Sequence, residues 1–174
     1  KGILVGRETA EQDNPALTVR LSSKELGLRK NDAVPQPVKI ILGSLKKSTK
    51  TKKLFAGSEK IIIGSKLPAK KIKNVEYLKY EKKDFLDRFM QDLLQRNISS
   101  ILVEGGQQTL NAFIGKNLFD ELVLYTAPMI LGKGSKDTMS SKAPISIKKS
   151  PKLKLIKLEN FGDDIKTTYY NPNA

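Results

Sequence analysis

Short apolar runs separated by polar stretches mark the first half of the chain. Three of these runs have the length and β-branched content of buried strands, and a glycine follows each of them. They are Ile3 to Val5, Val38 to Leu42 and Lys60 to Ile63. Leu54 to Ala56 and Val75 to Tyr80 are two further runs of this kind. We predict a strand at each of these runs.

Helical spacing is clearest between Asp84 and Arg96. Asp84 has a side chain suited to the N-cap of a helix, and Asn97 one suited to its C-terminal end. Apolar residues recur between them at intervals of three and four, namely Phe85, Leu86, Phe89, Met90, Leu93 and Leu94. The apolar face of this helix is predicted to belong to the core.

The last third of the chain has the pattern of antiparallel strands. Glu121 to Thr126 is a run that ends before Pro128. Leu153 to Leu158 and Ile165 to Tyr170 alternate on either side of the turn residues Asn160 to Asp163, as in a hairpin. Strands and helices together predict an α/β domain on a mixed sheet with a C-terminal antiparallel hairpin. The length of 174 residues suits a single domain.

The polar segment from Arg7 to Arg20 is predicted to be a loop that leaves the first strand. Asp13, Asn14 and Pro15 form a turn signature, and Leu17 to Val19 is a short extended piece. Loops at strand ends often carry function. Taken alone, however, Asp13 is better explained as a turn-capping carboxylate, and Arg20 as a surface arginine rather than a phosphate clamp.

The stretch around Gly105 and Gly106 points to a ligand. Ile101 to Val103 is a strand-like apolar run, and helical spacing follows the two glycines at Leu110, Phe113 and Ile114. The first amides of a helix are unpaired and carry partial positive charge, so an anion can sit above Gly106 to Thr109. Alternatively, the glycines are only a tight connection and Glu104 a solvated strand end, since the spacing matches no common phosphate-binding fingerprint.

Composition narrows the chemistry that is available. The chain has no cysteine and no histidine, which excludes disulfides, thiolate nucleophiles, histidine acid-base catalysis and His-Cys zinc sites, and we predict no metal site. Reactive groups must therefore be carboxylates, lysines, hydroxyls, backbone amides or a cofactor. No apolar run approaches the roughly 20 residues that cross a bilayer, so we expect no membrane partner and a cytoplasmic location.

The formal charge of +14 has two explanations. One is nucleic-acid binding, and the other is a lysine-rich surface with a locally positive pocket for phosphorylated ligands. Lysines are densest at Lys46 to Lys53 and Lys66 to Lys73. The aromatic residues nearest to these runs, Tyr77 and Tyr80, fit a strand better than a base-stacking platform, so the second explanation is favoured.

Three motifs follow one another along the chain. They are Thr-x-x-x-Asp-Asn-Pro-x-Leu-Thr-x-Arg at 9–20, Val-Glu-Gly-Gly at 103–106 and Asp-Glu-Leu-x-x-Tyr-x-Ala-Pro at 120–128. In this order they resemble the C-terminal reductase domain of the bifunctional riboflavin-biosynthesis deaminase/reductase, over nearly the whole chain. The resemblance implies a dihydrofolate-reductase-like fold, a mixed central sheet flanked by helices, in a homodimer.

The resemblance also implies an activity and a site. The activity is NADPH-dependent reduction of the ribosyl group of 5-amino-6-(5-phosphoribosylamino)uracil to the ribityl side chain. Leu17, Arg20 and Glu104 match positions that hold the substrate, with Arg20 clamping its phosphate and Glu104 accepting hydrogen bonds from the ring or ribose. The positions on the cofactor side are Thr9, Asp13, Ser44, Gly106, Gln107, Gln108, Thr109, Leu110, Asn111 and Ala112.

The chain also departs from this family. Members commonly have Asp-Ser where this chain has Gly43-Ser44, and a lysine where Met129 follows Pro128. Their reductase domain begins one strand and a loop before the residue matching Lys1, and a zinc deaminase domain precedes it, so we expect the chain to be a fragment. Alternatives are a related pterin or pyrimidine reductase, a fragment that has lost activity, and a basic nucleic-acid-binding module. The proton donor stays open between water, a carboxyl group and a lysine of the absent segment.

Overall fold

The computed structural model of the chain describes residues 1–45, 53–57, 59–65, 74–80, 84–133, 135, 137–139 and 150–174. Its elements fall into two units, Lys1–Gly106 and Gln107–Ala174. The lysine-rich loop predicted at 46–52, the lysine run at 66–73 and most of the polar stretch before Pro151 lie outside the described residues. Within the described ranges, no helix combines the length and the hydropathy needed to span a bilayer.

The first unit is built on a five-stranded parallel sheet. The strands are β1 (Gly2–Gly6), β2 (Val38–Leu42), β3 (Ile61–Ser65), β4 (Val75–Lys79) and β5 (Ile101–Val103). They pair in the order β4-β3-β2-β1-β5, and every pair is parallel. These five predicted strands are confirmed.

Both faces of this sheet are covered, which explains why its strands are apolar throughout. On one face Val5, Ile41 and Ile63 pack with Ala10 of helix α1 (Arg7–Gln12) in a single buried cluster. Side chains alternate along a strand, so Gly64 faces the other way, toward helix α2 (Phe85–Gln95). A Cβ at Gly64 would lie 2.7 Å from the Phe89 ring, so glycine permits the close approach of α2.

The buried Lys39 is the exception in this apolar sheet. Its side chain is 1% exposed, and its Nζ donates to the Leu54 carbonyl at 3.2 Å and pairs with Glu59 Oε2 at 3.2 Å. This satisfies the charge that burial would otherwise make costly. Leu54 belongs to a single 3-10 turn, Lys53–Phe55, so the strand predicted at 54–56 is wrong.

The polar segment after β1 is the main correction to the sequence prediction. Arg7–Gln12 forms α1 rather than a loop. Its residues are mostly good helix formers, and the helix buries Ala10 in the core. Leu17 is buried and has a φ of 51°, so the extended piece predicted at 17–19 is also wrong. The prediction followed the turn signature at Asp13, because a helix of only 6 residues leaves a weak helical pattern in the sequence.

Helix α2 is confirmed, and the predicted residues lie at its two ends. Asp84 is the N-cap, as predicted, and its carbonyl accepts the Arg88 amide at 3.0 Å, but it has a φ of 56° and its side chain makes no capping hydrogen bond. Asn97 follows the helix with a φ of 61°, as its predicted place at the C-terminal end requires. The rings of Tyr80, Phe85 and Phe89 contact one another over α2.

The second unit contains helix α3 (Gln107–Gly115) and a three-stranded antiparallel sheet. Its strands are β6 (Glu121–Thr126), β7 (Lys154–Phe161) and β8 (Asp164–Tyr170), in the order β6-β8-β7. The α/β class, the helix after Gly106 and the closing hairpin β7-β8 are confirmed. The parallel and antiparallel strands are paired as two sheets.

Candidate functional site

The strand order of the first unit locates a candidate site. From β1 the chain passes to β2, β3 and β4 on one side of the sheet, and it returns to β5 on the other side. The C-terminal ends of parallel strands lie at one edge, and the segments that follow β1 and β5 begin there. Such a topological switch point is where open α/β sheets bind ligands.

Thr9 and Gly106 meet at this switch point. Thr9 lies in the first turns of α1, directly after β1, and Gly106 ends the connection after β5. A Cβ built on Gly106 would have a single described neighbour within 4 Å, the Thr9 hydroxyl oxygen at 3.8 Å. The backbone of Gly106 is therefore open on this side, with a hydrogen-bonding hydroxyl next to it.

Glu104 is held at the same place by its backbone. Its amide donates to the Leu4 carbonyl at 2.8 Å, which extends the pairing of β5 with β1 by one residue. Its side chain is exposed, and no lysine or arginine of the described ranges pairs with it. A carboxylate on a rigid backbone, without an internal partner, is suited to accept hydrogen bonds from a ligand.

The ends of β2 and β3 form the next part of this edge. The Gly43 amide donates to the Gly64 carbonyl at 2.8 Å, and just beyond it the hydroxyls of Ser44 and Ser65 are hydrogen-bonded to each other. Gly43 has a φ of 117°, and a Cβ there would lie 3.1 Å from Cβ of Arg7. Both observations explain why glycine occupies the position where the resembling family carries aspartate.

Two residues at this edge were not predicted as site residues. Ser65 lies beside Ser44, and Arg7 lies beside Gly43, with Nη2 of Arg7 only loosely paired at 3.6 Å with Glu8. A signal for Ser65 is present in the sequence, since Gly-Ser ends both Val38–Ser44 and Ile61–Ser65. The proximity of Arg7 depends on the pairing of β1 with β2 and could not be found that way.

The predicted residues of the 9–20 motif are separated by the structure. Asp13 ends α1, where its amide donates to the Thr9 carbonyl at 3.0 Å, and its side chain is exposed. The Leu17 side chain lies in the core with Val5, so only its main chain is available to a ligand. Arg20 is exposed and pairs with no carboxylate in the part of the chain that the structure describes, Glu104 included.

The remaining predicted residues form the beginning of α3. Thr109 is buried, Leu110 is half-buried, and Gln108 and Ala112 are exposed. Gln107 and Asn111 lie on the same helix, which has nine residues. The first backbone amides of an α-helix have no acceptor within the helix, and they point out of its N-terminal end.

Comparisons with known proteins identify the family of the chain. The profile of the RibD C-terminal domain family matches residues 1–167. The riboflavin biosynthesis protein RibD of Haemophilus influenzae is 30% identical over 167 residues, which cover 92% of this chain and 45% of that protein. The 5-amino-6-(5-phosphoribosylamino)uracil reductase of Buchnera aphidicola subsp. Acyrthosiphon pisum is 27% identical over 94% of this chain and 83% of its own length.

A solved structure shares the fold. RibD of Acinetobacter baumannii superimposes with a TM-score of 0.80 at 23% identity, over 97% of this chain and 46% of that chain. At this identity the likeness shows the fold alone. The chain spans a little under half the length of the RibD relatives it matches.

Proposed function

Because the chain belongs to the RibD C-terminal domain family, we propose that it is the reductase part of a riboflavin-biosynthesis enzyme. The proposed reaction is NADPH-dependent reduction of the ribosyl group of 5-amino-6-(5-phosphoribosylamino)uracil to the ribitylamino form. The observation that carries the proposal is the open backbone of Gly106, with the Thr9 hydroxyl 3.8 Å from where a Cβ would be, at the switch point of the sheet.

The groups at this edge fit a dinucleotide. A diphosphate needs close access to backbone amides, and Gly106 gives that access where a larger residue would narrow it. Hydroxyl groups of Thr9 and Ser44 are suited to the phosphate and ribose oxygens, and Arg7 adds a positive charge. We also propose that Asp13 and Gln107 through Ala112 contact the cofactor, as the family resemblance implies.

The substrate side rests on Arg20 and Glu104. Arg20 is exposed without a carboxylate partner among the described residues, so its planar guanidinium is available to a phosphate. Glu104 is placed to accept hydrogen bonds from ribose hydroxyls or ring donors. Leu17 contributes through its main chain, since its side chain is buried.

The protein's share of the chemistry is positioning. When bound, reduced nicotinamide would supply the hydride that C1′ of the sugar receives as its bond to the ring oxygen opens, and that oxygen takes up a proton. Glu104 orients the sugar and Arg20 holds its phosphate, so the reacting carbon is kept in one place. A chain without cysteine or histidine can fill this role, because the hydride transfer is supplied by the cofactor and the protein only has to bind and orient the reactants.

A turnover assay tests the function. The chain is incubated with NADPH and the phosphoribosylaminouracil, and loss of nicotinamide absorbance is followed together with the mass of the product. We expect turnover, a product two hydrogens heavier, and a large loss of efficiency when the substrate lacks its phosphate. No turnover and no NADPH affinity in a folded chain would contradict the proposal, and micromolar RNA binding at physiological salt in that case would favour a nucleic-acid module.

We also propose that the reductase is a homodimer. In the antiparallel sheet of the second unit β7 is an edge strand, and Leu155, Leu158 and Ile165 share one face according to the strand register. These three side chains are between 44% and 60% exposed in the single chain. An exposed apolar face beside an unpaired edge strand is a liability unless another chain covers it.

A further inference from the structure

We propose that Ser65 is a positioning residue that holds the Ser44 hydroxyl as a hydrogen-bond donor toward the cofactor. The inference rests on the function proposed above and adds a residue that neither the sequence motifs nor the family resemblance assign. Ser65 is only 2% exposed, so it acts through Ser44 rather than by touching the ligand itself.

The backbone around Ser65 is fixed from both sides. On one side β3 pairs with β2 up to Leu42 and Gly64, and the Gly43 amide adds a hydrogen bond to the Gly64 carbonyl at 2.8 Å. On the other side the Ser65 carbonyl accepts the Tyr80 amide at 3.2 Å. Groups mounted on central strands hold their geometry more precisely than groups on loops.

The two side chains meet at the end of this fixed pair of strands. The hydroxyls of Ser44 and Ser65 are hydrogen-bonded to each other across β2 and β3. Ser44 is half-buried and Ser65 is buried, so Ser44 is the member of the pair nearer to solvent. The hydrogen bond restricts the rotation of a side chain that would otherwise sample three rotamers.

Hydroxyl chemistry sets the direction of this hydrogen bond when an anion binds. Each hydroxyl has one proton to donate and two lone pairs to accept with. If Ser65 donates to Ser44, the proton of Ser44 remains for a phosphate or ribose oxygen, and the two bonds polarise each other. The opposite direction would leave Ser44 only as an acceptor, which an anionic ligand disfavours.

The positive charge of Arg7 supports the same direction. Arg7 lies beside Gly43, the residue before Ser44, and its only ion pair within the described ranges is the 3.6 Å contact to Glu8. The ends of β1 and β2 therefore present a serine donor and an arginine that is only loosely paired with Glu8, and the segment Leu42 to Leu45 contains no acidic residue. This arrangement is chemically matched to an anionic part of a dinucleotide.

A double-mutant cycle measured by direct binding tests the inference. NADPH affinity is determined by calorimetry for Ser44→Ala, Ser65→Ala and the double variant, so the readout does not depend on turnover. Loss of one such hydrogen bond weakens binding by about fivefold to tenfold. We expect each single variant to show a loss of this size, and the double variant to bind within about twofold of Ser44→Ala, because the effect of Ser65 on the cofactor is transmitted through Ser44.

Two further variants separate positioning from folding. Ser65→Cys keeps the shape of the side chain with a slightly larger atom, but its thiol is a weak donor, and it should weaken NADPH binding as Ser65→Ala does. Ser23→Ala removes another hydroxyl hydrogen bond, to the Asp32 carbonyl at 3.0 Å, and should leave NADPH binding unchanged. Unchanged affinity in Ser65→Ala, or losses that multiply in the double variant, would overturn the inference while leaving the proposed function intact. No NADPH binding by the unsubstituted chain would overturn both.

Discussion

At the scale of single residues, Arg20 offers the sharpest test of substrate recognition. Its guanidinium is exposed and pairs with no described carboxylate, so a phosphate would be its main partner. Hydrogen bonds to charged groups contribute about 1.5 to 3 kcal/mol, so Arg20→Ala should raise KM for the phosphorylated substrate by about tenfold to a hundredfold. Steady-state kinetics measure the change.

A matched arginine supplies the control for this prediction. Arg29 is also exposed and lies in the same connection between α1 and β2, and Arg29→Ala should leave KM unchanged. NADPH affinity should be unchanged in both variants. An equal effect of the two substitutions on KM would show that Arg20 acts only through net charge, and it would remove Arg20 from the site.

Residue types were the part of the candidate site most accessible to sequence. Gly106 could be named because a glycine before a helix lets a phosphate approach backbone amides, and Thr9 and Ser44 could be named because they match positions of the resembling family. Their proximity could not, since the contact between Thr9 and Gly106 depends on β1 and β5 being neighbours, almost a hundred residues apart in the chain. Ser65 was missed for the same reason, although its Gly-Ser ending was visible.

At the scale of elements, an ionic cluster ties α2 to the edge strand β4. Glu76 of β4 accepts two hydrogen bonds from Arg96 at 2.8 and 3.0 Å, and it pairs with Lys60 at 2.9 Å. The hydrogen bonds from Lys60 and then from Arg96 hold the pKa of Glu76 below its ordinary value of 4.5. The cluster is partly exposed, so solvent screens much of its energy.

This lowered pKa predicts a pH-dependent stability difference. Glu76→Gln should reduce the free energy of unfolding by about 0.5 to 1 kcal/mol at neutral pH, the usual range for exposed ion pairs. Because the folded pKa is lowered, the carboxylate stabilises the fold above pH 4.5 and loses this effect as pH falls through the folded value. Urea unfolding over a pH series should show the two proteins converging in acid.

The control for this element is a carboxylate without a partner. Glu121 is exposed on β6 and forms no ion pair among the described residues, so Glu121→Gln should leave the free energy of unfolding almost unchanged at every pH. A difference between Glu76→Gln and the unsubstituted chain that stays constant below pH 4 would contradict the role given to the charge.

Elements with strong periodicity were predictable, and the short ones were not. Apolar runs identified β1 to β6, the closing hairpin, α2 and α3, because burial on one or both faces leaves a repeated pattern. Helix α1 has 6 residues and a single buried side chain, Ala10, which is too little for a helical period. The 3-10 turn at Lys53–Phe55 was taken for a strand because three apolar or amphipathic residues carry no distinguishing period.

At the scale of the whole molecule, the exposed apolar face of the second sheet predicts an assembly. Leu158 is 60% exposed on β7, and a charge placed there should prevent another copy from packing on it. We expect the unsubstituted chain to be a dimer at micromolar concentration and Leu158→Asp to be a monomer, measured by light scattering after size exclusion. Lys154→Asp, on the opposite face of the same strand, should remain a dimer.

A monomeric unsubstituted chain would contradict the dimer without affecting the site in the first unit.

The net charge of the whole molecule was predictable from composition, but the distribution of the charges was not. Some of the lysines lie in the runs at 46–52 and 66–73, and others form ion pairs, such as Lys39 with Glu59. A net charge of +14 therefore does not by itself identify a binding surface.

The central claim is that a dinucleotide lies against the backbone of Gly106 at the switch point of the parallel sheet. Gly106→Ala adds one methyl group, 3.8 Å from the Thr9 hydroxyl oxygen, which is an ordinary contact within the protein. The substitution should therefore preserve the fold while filling the space that the cofactor needs. Gly115→Ala, at the end of α3 with no described atom within 4 Å of the added methyl, is the matched control.

The most direct measurement is calorimetric titration of both variants with NADPH. Overpacking of a fitted contact costs about 1 to 3 kcal/mol, so Gly106→Ala should raise the Kd for NADPH by about tenfold or more, with an unchanged melting temperature. Gly115→Ala should bind as the unsubstituted chain does. If Gly106→Ala binds NADPH as tightly as the unsubstituted chain, the cofactor does not lie where this account places it.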